Sequence, residues 1–203
     1  MGPLPFAHPV AAVVFWVAYG LFITVELNIA VRSRIRGWGR PAELDEASKR
    51  TVVLSIVAAF FVAFWAATTV CAATIAASEP ILRWVLLGVG VMLMLLGTGL
   101  RQWAIHTLGR FFTLEVRAAV NQRVVDVGPY RLVRHPSYTG ALLAFAGIGL
   151  ALGNWLSLVV SVFVPLLGFL RRIAVEERVL VEQLGEPYRR YAATRRRLVP
   201  GLW

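Results

Sequence analysis

Residues 138–170 read YTGALLAFAGIGLALGNWLSLVVSVFVPLLGFL. The run carries no Asp, Glu, Lys or Arg, and Gly153-Asn154 divides it into two apolar pieces. A membrane-spanning helix takes about 20 mainly apolar residues. The run is longer than one such helix, and it reads as two short spans, Tyr138–Leu152 and Trp155–Leu170, joined as a tight helical hairpin. One merged re-entrant element is the alternative. Pro165 is expected to kink the second piece, because proline removes a helical donor and crowds the preceding turn. Three further apolar runs lie upstream, at Ala7–Val31, Val52–Ala77 and Ile81–Ile105. The fold class that follows is an all-α integral membrane protein with five transmembrane helices.

Composition agrees. The chain is 58% hydrophobic with a mean hydropathy of +0.69, well above a soluble domain. Its net charge of +10 would suggest nucleic acid in a soluble protein. Here the basic residues fall between apolar runs, with no basic face on a folded domain, so nucleic acid is not an expected partner. Cys71 is the sole cysteine; it reads as a mid-span packing residue, and no disulfide framework or thiolate metal site exists.

The cations set the orientation. Of 21 Lys and Arg, six lie between the first two runs, six between Arg101 and Arg134, and eight from Arg171 to Arg197, leaving Arg83 at the other side. The positive-inside rule puts those two loops and the C-terminus in the cytoplasm. The N-terminus and the Ser78-Glu79-Pro80 and Gly153-Asn154 turns go outside, as an odd number of spans requires. Glycines at 88, 90, 97, 99, 140, 147 and 149 are suited to close approach of membrane helices. Residues 1–100 read as an N-terminal membrane region and 101–203 as the functional core.

Polar chemistry concentrates in three segments on the cytoplasmic side: Arg101–Phe112, Gly128–Gly140 and Arg171–Leu180. Gly128–Gly140 packs two arginines, His135, two tyrosines and two prolines into a span entrance, a density that suits a pocket wall more than an anchor. His135 is flanked by Arg131 and Arg134 and reads as a hydrogen-bonding group more than a proton shuttle. In the third segment Ile173, Glu177, Leu180 and Leu184 share a helical stripe. A carboxylate on an apolar stripe needs a partner, which singles out Glu177. Arg172 and Glu176 stand at i, i+4, as do Arg178 and Glu182. The segment is expected to be an interfacial helix that ends near Gly185, before Pro187. Glu26, inside the first run, is either functional or paired with an arginine at the interface. His8, His106 and His135 show no metal-ligand spacing, so no metal is expected.

At these residues the chain resembles the isoprenylcysteine carboxyl methyltransferase family, grouped with the phospholipid methyltransferases. The resemblance lies in Gly128/Tyr130/Arg131, Arg134-His135-Pro136-Ser137-Tyr138, the Glu176-Glu177 pair, Gly185/Tyr188/Tyr191, and Leu108-Gly109 followed by Phe111-Phe112. It covers about half the chain, from Arg101 onward. Leu184 departs from the phenylalanine common in that family. The resemblance implies S-adenosylmethionine as cofactor, bound at the cytoplasmic face. Gln102, Tyr130, Arg134, His135, Pro136, Tyr138, Gly140, Glu176 and Glu177 are the implied cofactor-binding residues, and Arg172 and Glu177 the implied catalytic ones. The 37 residues from Arg101 to Ser137 are too few for a doubly wound nucleotide domain, so loops, tail and span ends must enclose the cofactor.

The chemistry suits those residue types. Arginine binds a carboxylate bidentately, and carboxylates take an amino group or ribose hydroxyls. Alignment alone can remove about 7–11 kcal/mol of a barrier. A carboxylate or thiolate acceptor needs only to be held as an oriented anion, for which Arg172 is suited. The acceptor is expected to be a lipophilic molecule or lipid entering from the bilayer, with membrane lipids as surroundings and no obligate protein partner evident. The Ala- and Arg-rich composition points to a bacterial plasma membrane. Two other classes fit less well. A membrane reductase of the steroid-reductase type would use a nicotinamide cofactor on a similar layout. A transporter or scaffold would place its polar residues near the midplane, where few occur here.

Overall fold

The computed structural model describes residues 2–36, 45–75, 78–112 and 123–201. A short helix α1 (Leu4–Ala7) precedes α2 (Pro9–Arg36), α3 (Asp45–Thr69), α4 (Pro80–Leu108), α5 (Pro136–Ala151), α6 (Trp155–Leu184) and α7 (Glu186–Thr194). Four of these, α2, α3, α4 and α6, are long and apolar enough to cross a membrane. The fifth, α5, has 16 residues and a length of about 24 Å, short of the roughly 30 Å hydrocarbon core. The all-α membrane fold is as expected, with α5 a short fifth member. Phe61 at 75% and Ile81 at 82% exposure are side chains whose natural solvent is lipid.

The hairpin forms at Gly153-Asn154. Gly153 takes φ +64°, where glycine pays no Cβ clash. Asn154 caps α6 by accepting from the Ser157 N–H at 3.1 Å, satisfying an orphan donor of the first turn. Its amide also donates to Val70 O at 3.0 Å. That bond closes off α3, which ends at Thr69 where hydropathy alone put the end near Ala77. Ala76 and Ala77 lie outside the described residues, as do Arg40 and Arg117. Cys71 sits in a 3-10 turn beyond α3 and is exposed, so its reading as a mid-span packing residue is corrected.

Glycines set the α4–α5 contact. A Cβ on Gly140 would lie 2.6 Å from Gly97 O and 2.7 Å from Arg101 N. One on Gly90 would lie 2.6 Å from Ala151 N. Helices this close gain dispersion contacts that lipid cannot supply. Beside them Phe15, Phe22, Met94, Phe145 and Phe169 form the buried core, with Phe22 and Phe60 meeting Phe145 edge to face at 5.9 and 5.8 Å.

Other boundaries differ from the sequence reading as well. Helix α3 starts at Asp45, seven residues before Val52, and carries Ser48 and Lys49 beyond the apolar stretch. The span expected at Trp155–Leu170 and the separate interfacial helix expected after it are one continuous helix, α6, with Pro165 inside it. The Ser161 hydroxyl donates to Ser157 O at 2.6 Å, one turn before the proline. Gly185 ends α6 with φ +60°, as its place before Pro187 led us to expect.

Candidate active site

The site forms at the basic end of the bundle, where α5 begins. Proline favours the first helical position and pushes the residue before it out of the helix. Pro136 therefore starts α5, and His135 sits at the N-cap with φ −125° and ψ 57°. The His135 carbonyl accepts from Tyr138 N at 3.0 Å. The N–H groups that the extended Arg134-His135 segment would otherwise leave unpaired go to the C-terminal strap. Arg134 N donates to Arg196 O at 2.7 Å and His135 N to Arg197 O at 3.0 Å. The Thr139 hydroxyl adds a bond to Leu198 O at 2.8 Å.

Three charged side chains and His135 lock this strap to α6. Glu177 Oε1 lies 3.0 Å from Arg134 Nη2 and 3.2 Å from His135 Nε2. Its other oxygen lies 3.0 Å from Arg197 Nη2. The contact to His135 requires the hydrogen on Nε2, since an ionised carboxylate only accepts. Glu176, next in the chain, points elsewhere: Oε2 accepts from the Tyr138 hydroxyl at 3.0 Å and lies 3.9 Å from His135 Nδ1.

In front of this cluster is a cavity of about 290 Å³, near the lower bound for small-molecule sites. Tyr130, Arg134, His135, Tyr138, Arg172 and Glu176 all face it. Among the described residues, five cations, Lys49, Arg101, Arg123, Arg134 and Arg172, line it against two carboxylates, Glu26 and Glu176. Val52, Ile56, Phe145 and Phe169 form its apolar part. Arg172 is buried and donates to Ser48 Oγ at 2.9 Å. Arg134 Nε is buried without an acceptor among the described residues, and such groups ordinarily find a partner.

Helix α7 supplies Tyr188 and Tyr191. The Tyr191 hydroxyl donates to Tyr130 O at 2.8 Å. Burial pushes the Tyr130, Tyr188 and Tyr191 phenols well above their ordinary range, and nearby carboxylates push the same way. All three stay protonated and keep a hydrogen to donate.

Not every expected residue reaches the cavity. Glu177 does not line it; its oxygens are held from behind by Arg134, His135 and Arg197. Pro136 starts the helix and Gly140 packs on α4, neither of them at the cavity wall. Gln102 lines a different cavity, on an adjacent face of α4. The sequence reading gave no site role to Ser48, Lys49, Arg123 or Ser137, and it named Arg101 only as a cation at the start of a polar segment. Arg101 is 8% exposed. It binds Glu26 through Nε at 2.5 Å and Nη2 at 3.0 Å, and Ser137 Oγ through Nη1 at 2.7 Å. Of the two readings of Glu26, pairing with an arginine is the one observed. The signal was present: two opposite charges, each one or two turns inside an apolar run, are expected to find one another.

A family model described as phospholipid methyltransferase matches residues 85–187, which hold the Arg-His-Pro segment, Arg172 and both glutamates. The chain belongs to the phospholipid methyltransferase family. Among its relatives, protein-S-isoprenylcysteine O-methyltransferase B of Arabidopsis thaliana is 35% identical over 54% of this chain and 57% of that protein. The Saccharomyces cerevisiae protein-S-isoprenylcysteine O-methyltransferase is 38% identical over 50% of this chain and 44% of its own length. The match to methanethiol S-methyltransferase of Pseudomonas deceptionensis is 30% identical and longer, covering 96% of this chain and 74% of the relative. A solved structure of the eukaryotic intramembrane Ras methyltransferase, isoprenylcysteine carboxyl methyltransferase, superposes with a TM-score of 0.59 at 26% identity. The superposition covers 74% of this chain and 52% of the other. The chain thus spans about half the length of the isoprenylcysteine relatives it matches. Within the phospholipid methyltransferase family it is a multi-pass membrane protein, and the resemblance read from its C-terminal half is borne out.

Proposed function

We propose that this protein is an S-adenosylmethionine-dependent methyltransferase acting on a lipophilic acceptor at the cytoplasmic membrane face. The observation that carries the reading is the single cavity walled by the Arg-His-Pro segment and the Glu176 turn of α6, within the residues the family model matches. The donor set fits the cofactor. Arg134 Nε, buried and without an acceptor among the described residues, suits a carboxylate or hydroxyl. Glu176 offers an anion to an amino group or ribose hydroxyls, and Tyr130, Tyr138 and His135 add flat faces and hydrogen-bonding tips. When bound, S-adenosylmethionine supplies an electrophilic methyl group.

The remaining residues prepare the acceptor. Among the described lining residues, cations outnumber carboxylates even after Arg101 pairs with Glu26 and Arg134 with Glu177, which favours an acceptor that reacts as an anion. Arg172, fixed by Ser48 at 2.9 Å, orients that anion, and no strong base is needed. Val52, Ile56, Phe145 and Phe169 give an apolar wall that excludes water and accepts a lipophilic tail. Glu177 is a positioning residue, fixing Arg134 and His135 from behind. The relatives' names cover methylation on oxygen and on sulfur, and the family name adds lipid headgroups. A carboxylate or a thiol is therefore the acceptor class that the cavity favours, ahead of a lipid headgroup amine, which must first lose a proton. The basic end faces the cytoplasm by the positive-inside rule, in a bacterial plasma membrane.

Thermal unfolding of the purified protein in detergent tests this reading. A ligand that binds only the folded state stabilises it by about 2.7 kcal/mol at 100 times its Kd. S-Adenosylmethionine is expected to raise the melting temperature in a concentration-dependent way, and a reduced nicotinamide dinucleotide to leave it unchanged. The reverse pattern would replace the methyltransferase reading with the reductase one.

A further inference from the structure

On an adjacent face of α4 lies a second, larger cavity of about 790 Å³. Its walls are the basic ends of α2 and α4. Phe112 alone lines both cavities among the described residues. The helical register separates the two. Arg101 and Leu108 are seven residues apart and face the candidate active site, whereas Gln102, His106 and Gly109 sit about a quarter turn round and face the second cavity.

The lining is graded along the helix axes. Arg32 and Arg110 stand at the outer end, Asn28 and Gln102 come next, and Val25 lies about one turn of α2 further in than Asn28. Among the described residues that line it, none is Asp or Glu. Arg110 rests over the Phe111 ring, with its guanidinium carbon 5.0 Å from the ring centroid, a contact that steadies the cation. Arg32, Asn28, His106 and Arg110 are all exposed, so the cavity is reached from the side of the bundle.

We propose that this cavity binds an anionic phospholipid from the surrounding leaflet, apart from the site of methyl transfer. Arg32 and Arg110 hold the phosphate, Asn28 and Gln102 hydrogen-bond the glycerol and ester oxygens, and an acyl chain lies along Val25. Basic pockets between membrane helices suit such headgroups. Val25 favours a lipid over free phosphate, because a bare phosphate leaves this partly exposed apolar side chain uncovered.

Native mass spectrometry of the full-length protein, released from detergent micelles holding equal phosphatidylglycerol and phosphatidylcholine, tests the proposal. Preferential retention of phosphatidylglycerol is expected. A surface cation contributes about 1 kcal/mol to binding an anionic lipid, or about fivefold in affinity. Arg32→Gln and Arg110→Gln are each expected to cut retention about fivefold, while Arg178→Gln, an exposed cation on α6, leaves it unchanged. Glycerol 1-phosphate in excess is expected not to compete. Equal retention of both lipids, an equal loss in Arg178→Gln, no loss in the two cavity variants, or full competition by glycerol 1-phosphate would each overturn the proposal. Melting temperatures of the three variants, expected within a few degrees of the parent, confirm that retention is compared on folded protein.

Discussion

Glu177 engages Arg134, His135 and Arg197 with its two oxygens, whereas Glu176 faces the cavity and takes the Tyr138 hydroxyl. Neighbours in sequence thus carry different duties, and substitution separates them. Glu177→Ala leaves two guanidinium groups and a histidine facing each other with no anion between them. Removing one partner of a buried ion pair costs about 3–5 kcal/mol; with the Glu177 side chain 15% exposed, the lower end applies. The expected result is a clear drop in melting temperature in detergent. Glu176→Gln keeps an oxygen for Tyr138, so its melting temperature stays close to wild type. It removes a charged hydrogen-bond acceptor worth about 1.5–3 kcal/mol, and S-adenosylmethionine binding is expected to weaken by at least tenfold. The stripe of Ile173, Glu177, Leu180 and Leu184 made it legible that Glu177 needs a partner. Its partners were not legible, because Arg134 and Arg197 come from a loop and a tail that only the folded chain brings together.

At the scale of elements, glycine spacing decides how close the helices come. Two glycines in α4 separate packing from propensity. A Cβ at Gly90 meets the Ala151 backbone at 2.6 Å, whereas one at Gly88 meets nothing within 4 Å. Gly90→Ala is expected to lower stability by about 1–3 kcal/mol through overpacking. Gly88→Ala is expected to be neutral or to raise stability by up to about 1 kcal/mol, as alanine favours a helix; paired melting curves read the difference. Hydropathy made the spans legible but not all their ends. Helix α3 stops at Thr69 because Asn154, more than eighty residues on, takes the Val70 carbonyl. Helix α6 runs on past Leu170 into the charged segment because nothing there breaks it before Gly185. Periodicity alone had no means of joining a membrane span to the amphipathic helix that follows.

For the molecule as a whole, the order of charged segments already pointed to the end where the candidate cavity lies. The Arg-His-Pro segment and the glutamates of α6 meet there, and the C-terminal strap closes on them through Arg196, Arg197 and Leu198. What the sequence left open was depth: Glu26 and Arg101 meet inside the bundle and extend the cavity wall toward the apolar core, where Phe145 and Phe169 also line it. A cavity polar at one end and apolar at the other suits a polar methyl donor and a lipophilic acceptor together. The most direct test of that claim is equilibrium binding of methyl-labelled S-adenosylmethionine to the full-length protein in lipid nanodiscs. Saturable binding at one site per chain is expected, weakened at least tenfold by Glu176→Gln and left within about twofold by Gln102→Ala, which lines the other cavity. Absence of saturable binding, or equal loss in both variants, would contradict the account.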